Sequence, residues 1–285
     1  MIHIQKLFLL LLSFTIIGCT THSSSIGQNY SKVDRIALVI GNSEYKLVSE
    51  LKNPVNDASD MADRLEDLNF NVIYKKNLNL NKMKQAIRNF LSKLSNSKKV
   101  GLFYYAGHAI QLDGKNYLIP IDAKISNLSS LESEAFYIGE LLDKLYSNNL
   151  NIIILDACRN NPFSTLSKKN IIARQSRGIV ELDRGVKLAP KGLSGMKAPS
   201  GTYISYSTAP GKVASDGEGK NGLYTQYLLR YMMKPGLTLE EVFKRVRNRV
   251  RDESNNQQIP WDQSSIFNDF YFIEAGGKRI ITGTF

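Results

Sequence analysis

The stretch Leu102–Gly114, LFYYAGHAIQLDG, opens as an unbroken apolar and aromatic run and ends in Gly-His. Such a run, closed by a glycine, reads as a strand buried on both faces. A second stretch, Asn151–Phe163, NIIILDACRNNPF, has the same form and ends in Asp-Ala-Cys. Each places a chemically active side chain, His108 or Cys158, just beyond the carboxyl end of a strand.

The pattern around these two runs alternates. RIALVIG is a further buried strand, followed by Ala58, Met61, Ala62, Leu65 and Leu68 at helical spacing. FNVIYKK reads as a strand, and Met83, Ile87, Phe90, Leu91 and Leu94 as an amphipathic helix. Tyr117 to Pro120 suits a small hairpin, and Phe136 to Tyr146 a helix. TYISYS is another strand, NGLYTQYLLRYM and LTLEEVFKRVRNRV are helices, and Pro235-Gly236 breaks the chain between them. Thr238 and Glu241 form a capping-box pattern. Strands alternating with helices predict an α/β fold with a mostly parallel sheet covered on both faces. In such sheets ligands bind beyond the carboxyl strand ends.

Two segments stand apart. Residues 1–18 hold Lys6 and the apolar run Leu7–Ile17, which is too short to span a bilayer permanently and reads as a secretory signal. The Gly18-Cys19 junction resembles a bacterial lipobox. That resemblance implies lipidation of Cys19, a polar tether over 19–32, and anchoring at the cell envelope, on the periplasmic face of the outer membrane. A plain secretory signal with a chance cysteine is the alternative. Most of the segment 164–200, rich in Lys, Arg, Gly and Ser, reads as a long exposed loop whose basic residues offer a processing site. The segment divides the region 33–275 into parts 33–163 and 201–275, with 276–285 left as a tail.

The chain has 285 residues, a formal charge of +11, two cysteines and three histidines. The positive charge is scattered and no nucleic-acid motif accompanies it, so no nucleic-acid partner is expected. The basic run Lys244–Arg251 carries Val242, Val246 and Val250 at helical spacing and reads as a solvated helix face. With Cys19 lipidated, Cys158 has no disulfide partner. It is then either a small buried hydrophobe or a reactive thiol. A thiol attacks carbonyls as thiolate and needs a neighbouring base or cation. His3 and His22 lie in the signal and tether, leaving His108 as the credible base. Taken singly, His108 also fits a structural histidine and Cys158 a core residue. Their shared placement at strand ends favours a catalytic pair.

Asp156-Ala157-Cys158-Arg159-Asn160, with a histidine fifty residues upstream, is similar to the caspase signature Q-A-C-[RQG]-G. Aspartate in place of glutamine resembles the metacaspase and bacterial caspase-like branch. IALVIGNSEY, FYYAGHAIQ, YLIPID, LDACRNNPF and QQIPWDQSS resemble further blocks of that group, in the same order. The resemblance spans roughly Val33 to Ile266. It implies a caspase-haemoglobinase-type three-layer sandwich and a cysteine endopeptidase acting on peptides or proteins. Cys158 is then the nucleophile, His108 the general acid/base, and the backbone N–H groups of Cys158 and Ala109 the oxyanion hole. Ala109 stands where the group has glycine, which strains the backbone if φ must be positive there. Asp57 and Asp156 match the acidic residues that select Arg or Lys before the cut, although helix capping by Asp57 and a satisfied strand-end carboxylate at Asp156 are simpler readings. Ala106 replaces a pocket serine. No cofactor or metal is expected. The acidic cluster that binds calcium in some relatives is not clear here: Asp122 matches, while Glu132 and Glu134 are loosely placed. The alternative function is an inactive caspase-like module that binds partners at the envelope.

Overall fold

The computed structural model describes residues 33–95, 98–112, 114–125, 128–145, 149–157, 193–209 and 219–276. The signal, the tether with Cys19, and Cys158 lie outside the described residues. Within the described residues no helix is long and apolar enough to cross a membrane.

Six strands form the main sheet in the order β2-β1-β3-β7-β8-β9. They are β1 (Arg35–Gly41), β2 (Phe70–Lys76), β3 (Val100–Ala106), β7 (Leu150–Asp156), β8 (Thr202–Tyr206) and β9 (Trp261–Ser264). The first five run parallel, and β9 closes one edge antiparallel to β8. The small sheet β4 (Ala109–Leu112), β5 (Lys115–Leu118) and β6 (Phe136–Tyr137) is antiparallel and sits just past His108.

Alternation along the strands sends neighbouring side chains to opposite layers. Ala37, Val39, Leu102, Tyr104, Ile152 and Ile154 face one side of the sheet. There they pack with α1 (Pro54–Asp67), α5 (Leu223–Tyr231) and α6 (Leu239–Glu253). Leu38, Ile40, Phe103, Tyr105, Ile153 and Leu155 face the other side, against α2 (Leu80–Leu94) and the short α4 (Gly139–Leu142), while α3 (Leu128–Glu134) lies in the connection from β5 to β6. Two apolar faces explain why the central strands read as continuous runs rather than alternating ones. The result is the three-layer α/β sandwich that the sequence predicts.

Local chemistry sets the helix starts. Pro54 occupies the first turn of α1, where its missing N–H costs nothing. A Cβ on Gly41 would sit 2.4 Å from the Pro54 carbonyl oxygen and 2.7 Å from Ala58 Cβ, so α1 reaches β1 only over a glycine. The capping box of α6 is formed, with Glu241 N–H donating to Thr238 Oγ1 at 3.2 Å and Thr238 N–H to Glu241 Oε2 at 2.8 Å. The basic face of α6 is solvated at Lys244, Arg245, Arg249 and Arg251. Arg247, only half-buried, turns instead to Asp262 and the Pro260 carbonyl.

One expectation needs correction, and two places were not resolved by the sequence. Phe136 and Tyr137 form strand β6, paired with Leu118 and Tyr117, and the helix after them spans only Gly139–Leu142. Edge strand β9 had no strand signal of its own. The end of the 164–200 segment, from residue 193, has no helix or strand but is anchored: Leu193 is 2% exposed, and Asn116 grips Ser194 with two 2.7 Å hydrogen bonds between its amide and the Ser194 backbone. The rest of that segment, through residue 192, lies outside the described residues.

Candidate active site

Gly41, Ala106 and Asp156 lie side by side in register at the carboxyl end of the parallel strands. His108 follows β3 by two residues, and Ala157, fully buried, leads from β7 toward Cys158. Adjacent pairing of β3 with β7 therefore carries the two chain exits to the same end of the sheet.

His108 is held through its backbone and through one ring nitrogen. Its backbone N–H donates to the Tyr45 hydroxyl at 2.7 Å. Its carbonyl oxygen accepts from the Ile119 amide at 3.0 Å and from the Tyr105 hydroxyl at 2.9 Å. The Tyr105 hydroxyl also lies 3.3 Å from that of Tyr45. Burial above all, and then the Tyr45 phenol beside it, holds the Tyr105 phenol well above its ordinary pKa. It stays a donor throughout the neutral range. The imidazole packs at 54° against the Tyr45 ring, 4.5 Å between centroids, and is 4% exposed.

Nε2 lies 2.9 Å from the Ser49 carbonyl oxygen. A carbonyl only accepts, so Nε2 carries hydrogen, and in the neutral ring the basic lone pair is then on Nδ1. This is the arrangement a general base requires: one ring nitrogen oriented by a fixed acceptor, the other basic.

Gly107 makes the clamp possible. A Cβ there would meet the Tyr45 hydroxyl at 2.6 Å and that of Tyr105 at 2.7 Å. Its φ of +155° also lies outside the range most side chains adopt. Gly107→Ala is expected to lower stability by about 1–3 kcal/mol and to displace His108, measured as a drop in melting temperature with loss of turnover. A variant with unchanged melting and activity would show that the tyrosine clamp is dispensable.

Ala109 opens β4 opposite Leu118. The non-glycine residues with positive φ among those described are Asn69, Asn77, Asn255 and Asn256, so the backbone at Ala109 carries no such strain.

Both candidate specificity acids are buried, Asp57 at 0% and Asp156 at 2% exposure. Asp57 lies inside the first turn of α1 rather than at its cap, which is Asn53. Its Oδ1 accepts from the Gly222 N–H at 2.9 Å. Asp156 Oδ2 accepts from the Thr225 hydroxyl at 2.7 Å. Among the described residues no cation pairs with Asp156. Ala106, also buried, lies beside Asp156 in the register.

Of the residues considered for calcium, Glu134 accepts the Lys124 amide at 3.0 Å and Glu132 the Tyr117 hydroxyl at 3.5 Å. Among the described residues no group of three or more His, Cys, Asp or Glu is placed to hold a metal.

Sequence reasoning missed Tyr45, Ser49, Gly222 and Thr225. Ser49 and Gly222 act through backbone atoms, which leave no side-chain signal. Thr225 had one: a polar residue among Tyr224, Tyr227 and Leu228 on the buried face of α5.

Comparison with known proteins agrees with this fold. Over 129 residues, 44% of this chain, the sequence is 33% identical to mucosa-associated lymphoid tissue lymphoma translocation protein 1 of Homo sapiens. Over 146 residues, 50% of this chain, it is 32% identical to the Mus musculus homologue. The matched parts are 15% and 17% of those proteins, so the chain spans about one sixth of the length of these relatives. A Geobacter sulfurreducens protein of known crystal structure shares the fold, with a TM-score of 0.57, 15% identity, and coverage of 84% of this chain and 98% of that one. The sequence profile of the caspase domain, a cysteine-peptidase family, matches residues 34–271. This chain belongs to the caspase-domain family.

Proposed function

We propose that the chain is a cysteine endopeptidase that cleaves after Arg or Lys, with Cys158 as nucleophile and His108 as general acid/base. The observation that carries this reading is the clamped His108, with Nε2 tied to the Ser49 carbonyl, at the strand exit beside the one leading to Cys158. His108 Nδ1 takes the thiol proton, and Cys158 Sγ adds to the scissile carbonyl carbon. The oxyanion is met by the N–H groups of Cys158 and Ala109. Collapse breaks the C–N bond as His108 returns the proton to the leaving amine. Water, deprotonated by His108, then hydrolyses the thioester and regenerates the thiol.

The preference for a basic side chain rests on Asp156 and Asp57. A buried carboxylate is costly unless a cation or hydrogen bonds compensate it. Asp156 has one hydroxyl donor and no cation among the described residues. A substrate guanidinium or ammonium would supply the missing charge by a charge-assisted contact. Aspartate two residues before the cysteine also supports placement with the bacterial caspase-like and metacaspase branch. The test is a panel of fluorogenic peptides that differ only in the residue before the cut, run on wild type and Cys158→Ala. Turnover confined to Arg and Lys peptides, and lost with the thiol, is the expected result. Equal turnover by both proteins rules out the assignment.

We further propose that lipid on Cys19 tethers the peptidase to the bacterial envelope, facing the periplasm, on the basis of Lys6, the Leu7–Ile17 run and the Gly18-Cys19 junction. Labelling with a fatty-acid analogue should depend on Cys19. A mature protein that is unlabelled and begins at another residue overturns the anchor.

A further inference from the structure

The two carboxylates come from different elements, α1 and β7, yet a single helical turn touches both. Gly222, the N-cap of α5, donates its N–H to Asp57 Oδ1, and Thr225, three residues on, donates its hydroxyl to Asp156 Oδ2. The start of a helix carries partial positive charge, which suits carboxylates at both points. The approach to that turn is itself fastened to α1. Lys220 Nζ pairs with Asp60 Oδ1 at 2.6 Å, Asn221 Nδ2 donates to Asp60 Oδ2 at 3.0 Å, and Asn56 Nδ2 donates to the Lys220 carbonyl at 3.3 Å.

Thr225 is the polar centre of this arrangement. Its Oγ1 lies 2.6 Å from the Tyr104 hydroxyl as well as 2.7 Å from Asp156. A threonine hydroxyl has one hydrogen. That hydrogen goes to the carboxylate, so the hydrogen between Tyr104 and Thr225 belongs to Tyr104. The chain therefore has one direction, Tyr104 O–H to Thr225 Oγ1, then Thr225 O–H to Asp156 Oδ2. Tyr104 keeps its proton: burial above all, then the negative charges of Asp156 and Asp57, holds its phenol well above the ordinary value. All three side chains are buried, so water does not substitute for a missing link. A relay of this kind fixes one carboxylate oxygen and thereby the direction in which the other points.

We infer that Thr225 is a specificity-positioning residue, whose hydroxyl, backed by Tyr104, orients Asp156 to receive the basic side chain of the substrate. This rests on the peptidase reading above and extends it to a residue on another element. Thr225 does not touch the reacting atoms. Its removal should therefore weaken recognition of the cation and leave the chemical step alone.

The experiment uses the full chain as wild type, Thr225→Val, which keeps shape and removes the hydroxyl, and Thr225→Ser, which restores it. Each is measured with an arginine peptide and with its citrulline counterpart, which has the same shape and no charge. Agmatine binding is measured by calorimetry in the Cys158→Ala background, as a readout independent of turnover. Thr225→Val should raise KM for the arginine peptide and Kd for agmatine by about tenfold or more, the size expected for a hydrogen bond to a charged group. Its kcat should stay within about twofold of wild type, the citrulline peptide should remain a poor substrate of all three proteins, and Thr225→Ser should return both constants close to wild type. Unchanged KM and Kd in Thr225→Val overturn the proposal, as does equal loss in Thr225→Ser, which would mean packing alone. If Thr225→Val does not fold, Tyr104→Phe breaks the relay one step back. A rise of a few fold in agmatine Kd then supports the proposal, and an unchanged Kd overturns it. Agmatine binding that follows this pattern without any hydrolysis by wild type sinks the peptidase reading and keeps the positioning role. Hydrolysis with identical KM in all three proteins does the reverse. A wild type that neither cleaves basic peptides nor binds agmatine overturns both.

Discussion

Cys158→Ala is expected to reduce kcat/KM on the best basic peptide by about a thousandfold or more, with an unchanged melting profile. In the proposed reaction the thiol forms the acyl bond, and an alanine methyl has no lone pair with which to attack. His108 requires a more careful substitution, because it is buried and hydrogen-bonded on ring and backbone. His108→Ala would remove the Ser49 partner and leave a cavity, confusing stability with catalysis. His108→Gln keeps an amide N–H that can reach the Ser49 carbonyl but supplies no base. It should lose activity by about 10²–10⁴-fold while melting close to wild type. Near-normal turnover in either Cys158→Ala or His108→Gln would falsify the dyad.

Asp156→Asn is the second large effect. The asparagine oxygen can still accept the Thr225 hydroxyl, so the fold around α5 is preserved, but the negative charge is gone. A charge pair lost at a desolvated contact costs several kcal/mol, so kcat/KM for arginine peptides should fall by about 100-fold. Stability should move the other way. A buried carboxylate without a cation among its described neighbours opposes folding, and its neutral isostere does not. The melting temperature of Asp156→Asn should therefore hold or rise. Efficient cleavage after Asp with none after Arg in the wild type would reverse the specificity assignment. A fall in activity matched by a collapse in melting temperature would return Asp156 to a purely structural role.

These two variants also separate what each level of structure contributes. The carboxylate of Asp156 and its place at a strand end were legible in LDAC, because a short apolar run closed by polar residues carries its own strand signal. Its partner was not legible. Thr225 lies 69 positions further on and meets Asp156 only because α5 packs across the sheet.

The sequence by itself determined the sandwich and the ends at which chemistry is offered. Continuous apolar runs at Ile36–Ile40, Leu102–Ala106 and Ile152–Leu155 require cover on both faces, and helices spaced between them provide it. Periodicity is local, so the chain reports it directly. Tertiary structure alone decided Phe136–Tyr137, whose apolar residues suit helix or strand and become strand by pairing with Tyr117 and Leu118. It alone made an edge strand of Trp261–Ser264, against β8. It decided that Ala109 needs no positive φ, a property of the register with Leu118 and not of residue type. It also decided what orients His108: a carbonyl from Ser49 and hydroxyls from Tyr45 and Tyr105. Backbone carbonyls are alike along the chain, and only folding selects the one that meets an imidazole.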